Sequence, residues 1–422
     1  MTAGEGLPLV GVVLDFGAAT PMSVLAAARG LARIVFLGDR GSAYVRAVVA
    51  DLDGLADVWD ITDLSNEDIA ADPRMGTLAG ITTFSERQLV RTAALAHRHG
   101  LTFLSPAAAA AATDKFLQRR LLSEAGLEHL RCRLLRDPEQ LDAALADVGL
   151  PAVLKPRRGA ASARTCRVDS AAEAHRRLRD FVAAAPPDEE YVVEQFLTGD
   201  SAVAGERWGD YVSVESVTSH GRTRHIDITG KFPLAPPLRE TGYVVPATLD
   251  PPVRRSVLRL VEAAIRALGI AHGATHVEVK LTPSGPQIIE VNGRLGGYVA
   301  DLVRRARGYD LLRAALLAAL GRPADPPPEL WRRHAFQYFL TPPMNATVLR
   351  RFDGADDLIR ERGIQLVETV KRPGDPLDWR DGTLAYIGIV HGSGTDHADV
   401  LRLVERIRHT LLIEYHTAAD HD

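Results

Sequence analysis

The sequence predicts a mixed α/β and α+β protein, with an N-terminal α/β domain built on a parallel sheet and a C-terminal α+β portion. The first hundred residues alternate short apolar runs with helical patterns, which indicates a parallel sheet covered by helices. Residues 210–250 instead resemble strands joined by long loops. More strand-like segments follow a proline-rich stretch at 322–330, which is typical of a linker or a domain edge.

In the N-terminal part, one helix is predicted to begin near Pro21. A second helix, over 86–100, ends at Gly100 because glycine commonly terminates helices. Between and beyond these helices, apolar runs predict strands at 8–16, 32–38, 56–62 and 101–105.

In the middle of the chain, Pro106 opens a helix through an alanine run, and a second helix is predicted from Thr113 to Ala125. The apolar run LPAVLKP predicts a strand that ends at Pro156, and RRGAASART (157–165, the small-residue loop) follows it. The later predicted elements are a strand at 190–196, a helix at 250–269, strands at 334–340 and 382–390, and an amphipathic helix at 396–412.

Composition and charge exclude several classes of function. Lys plus Arg total 50 and Asp plus Glu total 54, so the formal net charge of -4 argues against nucleic acid as the main partner. No apolar run approaches the ~18 residues of a membrane span. No basic segment precedes the first apolar run, so we expect no secretory signal and a cytoplasmic protein. Cys132 and Cys166 form neither a disulfide framework nor a zinc motif.

A predicted hairpin carries the strongest functional signal. Two strand-like segments, 275–281 and 287–292, flank a Pro-Ser-Gly turn. If the hairpin is symmetric about Ser284, Glu278 lies directly opposite Glu290, and His276 lies opposite Asn292. Like charges in direct cross-strand pairs repel each other, so this pairing needs a compensating charge.

Strand alternation separates an apolar face of the hairpin from a polar one. Val277, Val279 and Leu281 share one face, with Ile289 and Val291 on the matching face of the second strand. The polar face carries His276, Glu278, Lys280, Glu290 and Asn292. One interpretation is a solvated pair of glutamates that splay apart. The other is a divalent cation held by Glu278, Glu290 and Asn292, because hard cations prefer oxygen ligands.

Residues near this hairpin favour the cation. Arg294 follows Asn292 by two residues, and an arginine suits bidentate phosphate contact. Two lysines also stand out, Lys115 at a helix start and Lys155 at the end of an apolar strand. No Gly-x-x-x-x-Gly-Lys-Ser/Thr motif exists, which excludes a P-loop NTPase.

Four ordered motifs together resemble the ATP-grasp superfamily, over about residues 84–321. TDKFLQRRLLSEAGL is similar to the family's first lysine segment, and PAVLKPRRGAASART to its second lysine and phosphate-covering loop. YVVEQFLTGD resembles the adenine-binding hinge, and HVEVK with PQIIEVNGRLGG the metal-binding strands. The resemblance implies an N-terminal domain over 1–105, an ATP-grasp core of two lobes over 106–321 with a hinge near 194–200, and a C-terminal domain over 322–422.

The resemblance also implies roles for individual residues. The expected ATP contacts are Lys115, Lys155 and Ser162 at the phosphates, Glu194 at the adenine amino group, Phe196 and Leu197 at the purine edge, and Asp200 at the ribose. Glu278, Glu290 and Asn292 would bind Mg²⁺ or Mn²⁺, and Arg294 the transferred phosphate. The segment RETGYVVPA is similar to the substrate loop of L-amino acid ligases and related carboxylate–amine ligases. It suggests Glu240 as a metal or substrate contact and Tyr243 as a substrate contact.

The implied reaction forms an acyl phosphate from a carboxylate and ATP, and an amine then displaces phosphate to give an amide. Arg294, Gly296 and Gly297 are the candidate oxyanion donors. His276 is a candidate base, with a structural role as the alternative. Two rival functions stay open: a carboxyphosphate-forming enzyme that uses bicarbonate, and a non-catalytic nucleotide-binding protein. The last hundred residues have two candidate roles, shaping the substrate pocket or forming a homodimer interface.

Overall fold

The structure is a computed structural model that describes residues 6–186, 188–324, 327 and 330–417. Of the proline-rich stretch predicted as a linker, residues 325, 326, 328 and 329 lie outside the described residues. Residues 1–5, on which the predicted absence of a secretory signal partly depends, also lie outside them. The described residues form four β-sheets. No described helix combines the length and the apolar character that crossing a bilayer requires.

The N-terminal part contains the predicted parallel sheet, with strand order β3-β2-β1-β4. Its strands are β1 (Leu9–Leu14), β2 (Arg33–Gly38), β3 (Asp57–Asp60) and β4 (Gly80–Thr82). Its helices are α1 (Pro21–Ala28), α2 (Ala43–Val49), α3 (Asn66–Ala71) and α4 (Leu89–Arg98). Helix α1 begins at the predicted proline because Thr20 caps it, accepting a hydrogen bond from the Ser23 N–H.

The strand predicted at 101–105 is wrong: this segment is a loop, and the fourth strand is β4. Phe103 and Leu104 are buried although they lie in a loop, because they pack into the main hydrophobic core. A short apolar run therefore indicated burial here and not a strand. Strand β4 has three residues, too few for alternation to mark it.

The next segment contains a small lobe with an antiparallel sheet, in the order β5-β8-β6-β7. The elements of this segment are α5 (Pro106–Thr113), α6 (Lys115–Glu124), β5 (Cys132–Leu135), α7 (Leu141–Val148), β6 (Ala152–Pro156), β7 (Cys166–Val168), α8 (Ala171–Ala183) and β8 (Tyr191–Gln195). The predicted break between the first two helices falls at Asp114, which is extended and caps α6 by accepting from the Leu117 N–H. Thr113 therefore ends α5 and does not begin α6.

An eight-stranded antiparallel sheet forms the centre of the molecule, in the order β13-β12-β9-β10-β11-β14-β17-β16. In chain order, the elements of this part of the molecule are first β9 (Tyr211–Ser219), β10 (Arg222–Lys231), β11 (Gly242–Val245), α9 (Pro251–Ala267), β12 (Gly273–Thr282), β13 (Gly285–Asn292), α10 (Val299–Arg307) and α11 (Leu311–Ala319). The chain continues with β14 (His334–Phe339), β15 (Ala346–Asp353), α12 (Ala355–Leu358), β16 (Ile364–Thr369), β17 (Gly388–Gly394), α13 (His397–Thr410) and β18 (Leu412–Thr417). Strands β15 and β18 form a separate pair.

The predicted boundary at 322 lies between strands of one continuous sheet. Strand β11 pairs with β14, so the C-terminal part extends the central sheet. The strand predicted at 382–390 begins only at Gly388. Residues 379–385 instead form a 3-10 segment, in which Gly382 has φ 65° and ψ −133°. The domain boundaries themselves stay predictions.

Helix α6 covers the free edge of the central sheet. Strand β13 is an edge strand, and an uncovered edge exposes unpaired backbone groups. The Gln118 side-chain amide satisfies two of them, because its Nε2 donates to the Val291 carbonyl at 2.9 Å and its Oε1 accepts from the Val291 N–H at 2.9 Å. This pairing fixes helix α6 against strand β13, which is one of the two predicted metal-binding strands.

We predict that Gln118→Leu lowers the free energy of unfolding by about 2–3 kcal/mol, because it leaves a buried N–H and a buried carbonyl without partners. Urea denaturation followed by circular dichroism measures this change. Arg120→Ala, on the exposed face of the same helix, is the matched control and should change stability by less than about 0.5 kcal/mol. Equal stability of the two variants would contradict the proposed edge cover.

Candidate functional site

A cavity of ≈ 1530 Å³ lies where the small lobe, the central sheet, the N-terminal domain and residues 383–386 meet. The predicted site residues that line it are Lys115, Lys155, Ser162, Glu194, Phe196, Leu197, Glu240, Tyr243, His276, Glu278, Glu290, Asn292, Arg294 and Gly297. Gly296 and Asp200 are not among the lining residues. Residues predicted from separate motifs thus converge on one cavity.

The predicted cross-strand pairs of the hairpin are confirmed. His276 lies opposite Asn292, and Glu278 lies opposite Glu290. The repulsion between the two glutamates is offset by cations of the protein itself. Lys115 Nζ lies 2.9 Å from Glu290 Oε1, and His276 Nε2 lies 3.5 Å from Glu278 Oε1.

These cations decide the ionisation of both glutamates. Burial alone would raise the pKa of each carboxyl group. His276 outweighs burial and lowers the pKa of Glu278, while Lys115 and Lys155 lower the pKa of Glu290. Both side chains are therefore carboxylates at neutral pH, as cation ligands must be.

The surroundings of His276 favour a structural role over the predicted role of base. Its Nδ1 contacts Glu215 Oε1 on the neighbouring strand β9, directly opposite. Burial favours the neutral ring, but Glu215 and Glu278 outweigh it and raise the pKa of His276 to about 9. A raised pKa favours the cationic ring, which links the two carboxylates; this supports the structural alternative for His276, and its role as a base stays a prediction.

The hairpin is not symmetric about Ser284 throughout its length. Thr282 pairs with Gly285, which leaves a two-residue turn, and a β-bulge at Ile289 restores the register at Glu278. The bulge turns Ile289 toward the cavity, while Ile288 enters the core beside Val291. The predicted position of Ile289 on the core face is therefore wrong.

The bulge also orients two carbonyl groups toward Arg119, which lies one turn after Lys115 on α6. In a regular strand, successive carbonyl groups point in opposite directions, but here one guanidinium reaches two in succession. Arg119 Nη1 donates to the Ile288 carbonyl at 2.8 Å, and Nη2 donates to the Ile289 carbonyl at 2.5 Å. Glu194 and Glu128 accept its other three N–H groups, so all five donors are satisfied.

Glu194 holds Arg119 and Lys155 together in the small lobe. Its Oε1 lies 3.1 Å from Arg119 Nε, and its Oε2 lies 2.8 Å from Lys155 Nζ. Burial would raise the pKa of Glu194, but these two cations outweigh it and lower the pKa to about 2. The structure thus gives Glu194 a positioning role for Lys155, and its contact with an adenine amino group stays a prediction.

Phe196 and Asp200, which were both predicted to contact the nucleotide, differ in their placement. The Phe196 ring lies near two cations, with Arg167 Cζ 4.6 Å and Lys280 Nζ 5.9 Å from its centroid. Asp200 instead caps a 3-10 turn, where its side chain accepts from the Ala202 N–H at 2.9 Å. The structure does not bring Asp200 to the cavity, so nothing supports the predicted ribose contact there.

The predicted substrate end contains a buried triad. Lys231 Nζ lies 2.8 Å from Glu240 Oε1, and the Tyr243 hydroxyl donates to Glu240 Oε2 at 2.5 Å. Lys231 also lies opposite Tyr243 on the neighbouring strand, with its Nζ 3.9 Å from the ring centroid. Burial and the Glu240 charge raise the pKa of Tyr243 well above its ordinary value, so the hydroxyl stays protonated.

Arg294 lies at the cavity with its guanidinium oriented by acceptors. Its Nε lies 2.9 Å from Glu86 Oε2, and its Nη2 donates to Asn292 Oδ1 at 3.3 Å. The Gly296 N–H is already engaged, because it donates to Glu215 Oε2 at 3.2 Å. Of the predicted oxyanion donors, Gly296 is therefore wrong as an available N–H, whereas Arg294 and Gly297 reach the cavity.

Comparison with known proteins identifies the fold. Residues 148–301 match the family model of the ATP-grasp domain. The solved structure of L-amino acid ligase from Bacillus licheniformis superposes with a TM-score of 0.77, covering 98% of this chain and 100% of that one at 21% identity. The chain has the ATP-grasp fold.

Two further proteins are similar to this chain. Alanine–anticapsin ligase of Bacillus subtilis (strain 168) is 27% identical over 261 residues, which is 58% of this chain and 55% of the relative. The match thus spans little more than half the length of that curated relative. N5-carboxyaminoimidazole ribonucleotide synthetase from Thermotoga maritima has a TM-score of 0.68 at 14% identity, covering 97% and 100% of the two chains. The predicted resemblance to ATP-grasp carboxylate–amine ligases is confirmed.

The hairpin carries donor atoms that suit the predicted metal ion. No cluster of three His, Cys, Asp or Glu side chains suited to a metal occurs in the described part of the chain. Glu278, Glu290 and Asn292 offer two carboxylates and one amide oxygen. That set suits Mg²⁺ or Mn²⁺ when phosphate oxygens supply the other ligands. The metal role of these residues stays a prediction.

Sequence reasoning missed five charged residues of the site: Glu86, Arg119, Glu215, Lys231 and Lys280. Two signals were available. Arg119 lies four residues after Lys115, on the same helical face. The chain has only five lysines among its 50 basic residues, and four of them, Lys115, Lys155, Lys231 and Lys280, are buried around the cavity. Glu86 and Glu215 carry no comparable signal in the sequence.

We predict that the stability of the protein falls as pH rises from 6.5 to 9, through the deprotonation of His276. The folded-state pKa of about 9 exceeds the ordinary 6.5, so the ring's contribution is complete below pH 6.5 and lost as pH approaches 9. Urea denaturation at intervals across this range measures the change. In His276→Gln the slope over the same range should be shallower, and an identical slope in both proteins would contradict the prediction.

Proposed function

We propose that this protein is an ATP-dependent carboxylate–amine ligase that forms an amide or peptide bond through an acyl phosphate and releases ADP and phosphate. The observation that carries the proposal is the convergence of Lys115 and Lys155 with the paired carboxylates Glu278 and Glu290 on one cavity. Two similar proteins, an alanine–anticapsin ligase and an L-amino acid ligase, are named as ligases of amino acids. An amino acid or a small carboxylate is therefore the proposed acid.

In the first step, a carboxylate oxygen of the acid attacks the γ-phosphorus of ATP. The bond from that phosphorus to the bridging oxygen breaks, and ADP leaves. Lys115 and Lys155 offset the charge of the phosphates, and Arg294, held by Glu86, binds the transferred group. A Mg²⁺ or Mn²⁺ ion held by Glu278, Glu290 and Asn292 would supply further charge neutralisation.

In the second step, the amine nitrogen attacks the acyl carbon of the acyl phosphate. The bond from that carbon to the phosphate oxygen breaks, and the proton lost by nitrogen passes to phosphate or to water. Arg294 and the Gly297 N–H are the proposed oxyanion donors, since both residues line the cavity. Glu240, fixed by Lys231 and Tyr243, is the proposed anchor for the amine in its ammonium form, and the ammonium loses one proton to water before its nitrogen attacks.

The size of the cavity is compatible with the proposed ligase. Binding sites for single small ligands are usually about 300–1,000 Å³. The cavity here, at ≈ 1530 Å³, has room for a nucleotide and two organic substrates. Its lining includes the exposed apolar side chains of Phe16, Met22 and Val90, which are available to an organic substrate. A screen for phosphate release distinguishes this ligase from the bicarbonate rival.

A screen for phosphate release tests the reaction. Mg–ATP is combined with pools of amino acids, other carboxylates and bicarbonate, and products are identified by mass spectrometry. We expect ADP and phosphate only with a particular acid and amine, together with a product lighter by one water than their sum. Turnover with bicarbonate alone would replace the proposal with the carboxylase. Binding of ATP without turnover in any pool would favour the non-catalytic rival.

We predict that Lys155→Met lowers kcat/KM for ATP by about 10²-fold or more, because it removes a fixed positive charge from the developing phosphate charge. The fold should persist, since Glu194 keeps its contacts with Arg119. Lys371→Met is the matched control, because Lys371 neither lines the cavity nor belongs to the buried lysines. Steady-state kinetics on the substrate pair from the screen measure both variants, and equal activity of the two would contradict the role of Lys155.

A further inference from the structure

The small-residue loop (157–165) is joined to the C-terminal part of the chain. The Arg164 N–H donates to the Arg380 carbonyl at 2.9 Å, and the Thr383 N–H donates to the Ala161 carbonyl at 2.8 Å. Arg380 and Thr383 lie in the 3-10 segment 379–385. Two backbone hydrogen bonds that run in opposite directions thus connect this segment to the loop that borders the cavity.

The contact requires a glycine at 382. A Cβ added there would lie 2.2 Å from the Ala161 carbonyl oxygen and 2.5 Å from the Ala163 nitrogen. Its φ of 65° with ψ of −133° is also a conformation that side chains disfavour. Backbone therefore packs directly on backbone, which leaves no space for any side chain.

The loop itself has an uncommon backbone conformation. Ala161, Ser162 and Arg164 have φ values of 58°, 54° and 47°, in the left-handed region that residues other than glycine rarely adopt. Such conformations persist only where the surroundings hold them. The hydrogen bonds to 379–385 fall on two of these three residues, so the segment supplies part of that restraint.

The segment 379–385 is anchored at both of its ends. The Trp379 ring packs against the small lobe, with its centroid 6.1 Å from that of Phe181 and 4.9 Å from Arg177 Cζ. At the other end, Thr383 Oγ1 accepts from the Glu240 N–H at 3.3 Å. The segment thus connects the loop at the predicted phosphate end with Glu240 at the predicted substrate end.

We propose that residues 379–385 form a latch that holds the small-residue loop closed over the cavity, with Gly382 and Thr383 as positioning residues for nucleotide binding. This proposal rests on the proposed function in one respect only, which is that the ligand of the cavity is a nucleotide. Because the loop is ordered before binding, the nucleotide does not bear the entropic cost of ordering it. The C-terminal part therefore acts on the ATP site through the loop backbone.

Two glycine variants of the full chain separate docking from backbone strain. Gly382→Ala removes the docking, whereas Gly374→Ala is the control, because Gly374 also has positive φ, of 97°, but has nothing within 4 Å of an added Cβ. Limited trypsin digestion without ligand, with cleavage sites identified by mass spectrometry, reports loop opening at Arg157, Arg158 and Arg164. We expect cleavage in 157–165 to be about tenfold faster in Gly382→Ala, from the loss of two hydrogen bonds, and unchanged in Gly374→Ala.

Calorimetric titration with Mg–ATP measures the consequence for binding and needs no acid or amine. We expect the Kd of Gly382→Ala to rise about tenfold and the melting temperature to fall by no more than about 4 °C, because the lost hydrogen bonds also lower the stability of the folded chain. Unchanged loop cleavage, or a Kd that falls, would overturn the latch. Wild-type protein that fails to bind Mg–ATP would end the proposed function, while the cleavage experiment would still decide whether the latch exists.

A second pair of variants covers the case in which Gly382→Ala does not fold. Trp379→Ala removes the anchor on Phe181 and Arg177, and Trp379→Phe keeps an aromatic ring there. Faster loop cleavage and weaker Mg–ATP binding in Trp379→Ala, restored to near wild type in Trp379→Phe, would support the latch. Equal behaviour of these two variants in both measurements would overturn it.

Discussion

The buried guanidinium of Arg119 joins the parts of the molecule that the cavity separates. It extends from helix α6 to Glu194 in the small lobe and to the carbonyl groups of Ile288 and Ile289 on the edge of the central sheet. Every donor is satisfied, and removal of any partner would leave a buried N–H group without an acceptor. Lys155 depends on the same carboxylate, so the position of a predicted phosphate contact follows from Arg119.

Charge compensation extends this constraint around the whole cavity. Lysine is rarely buried unless it is paired, and the four buried lysines each have a carboxylate partner: Lys115 with Glu290, Lys155 with Glu194, Lys231 with Glu240 and Lys280 with Asp210. His276 is held in the same way by two glutamates. The cavity therefore presents fixed charges of both signs at set positions, which is the arrangement that phosphoryl transfer requires.

The sequence predicted those parts of the site that follow from local periodicity. Alternation along the hairpin was sufficient to pair Glu278 with Glu290, because a strand repeats every two residues. It did not predict the bulge at Ile289, since the bulge depends on carbonyl groups that bind a helix more than 160 residues away in sequence. For the same reason the partners on other strands, such as Glu215, were missed. The docking of 379–385 on the small-residue loop is likewise a long-range contact without a local pattern.

The pairing of the lysines has a chemical consequence for an enzyme that makes an activated acyl group. A neutral lysine beside an acyl phosphate is itself an amine nucleophile and would be acylated in place of the intended substrate. A protonated ammonium has no lone pair, and Glu290, outweighing burial, raises the pKa of Lys115 and keeps it in that form. In the proposed reaction, the carboxylate beside Lys115 would thus protect this lysine from the acyl phosphate, and the scarcity of lysine elsewhere leaves few other amines to modify.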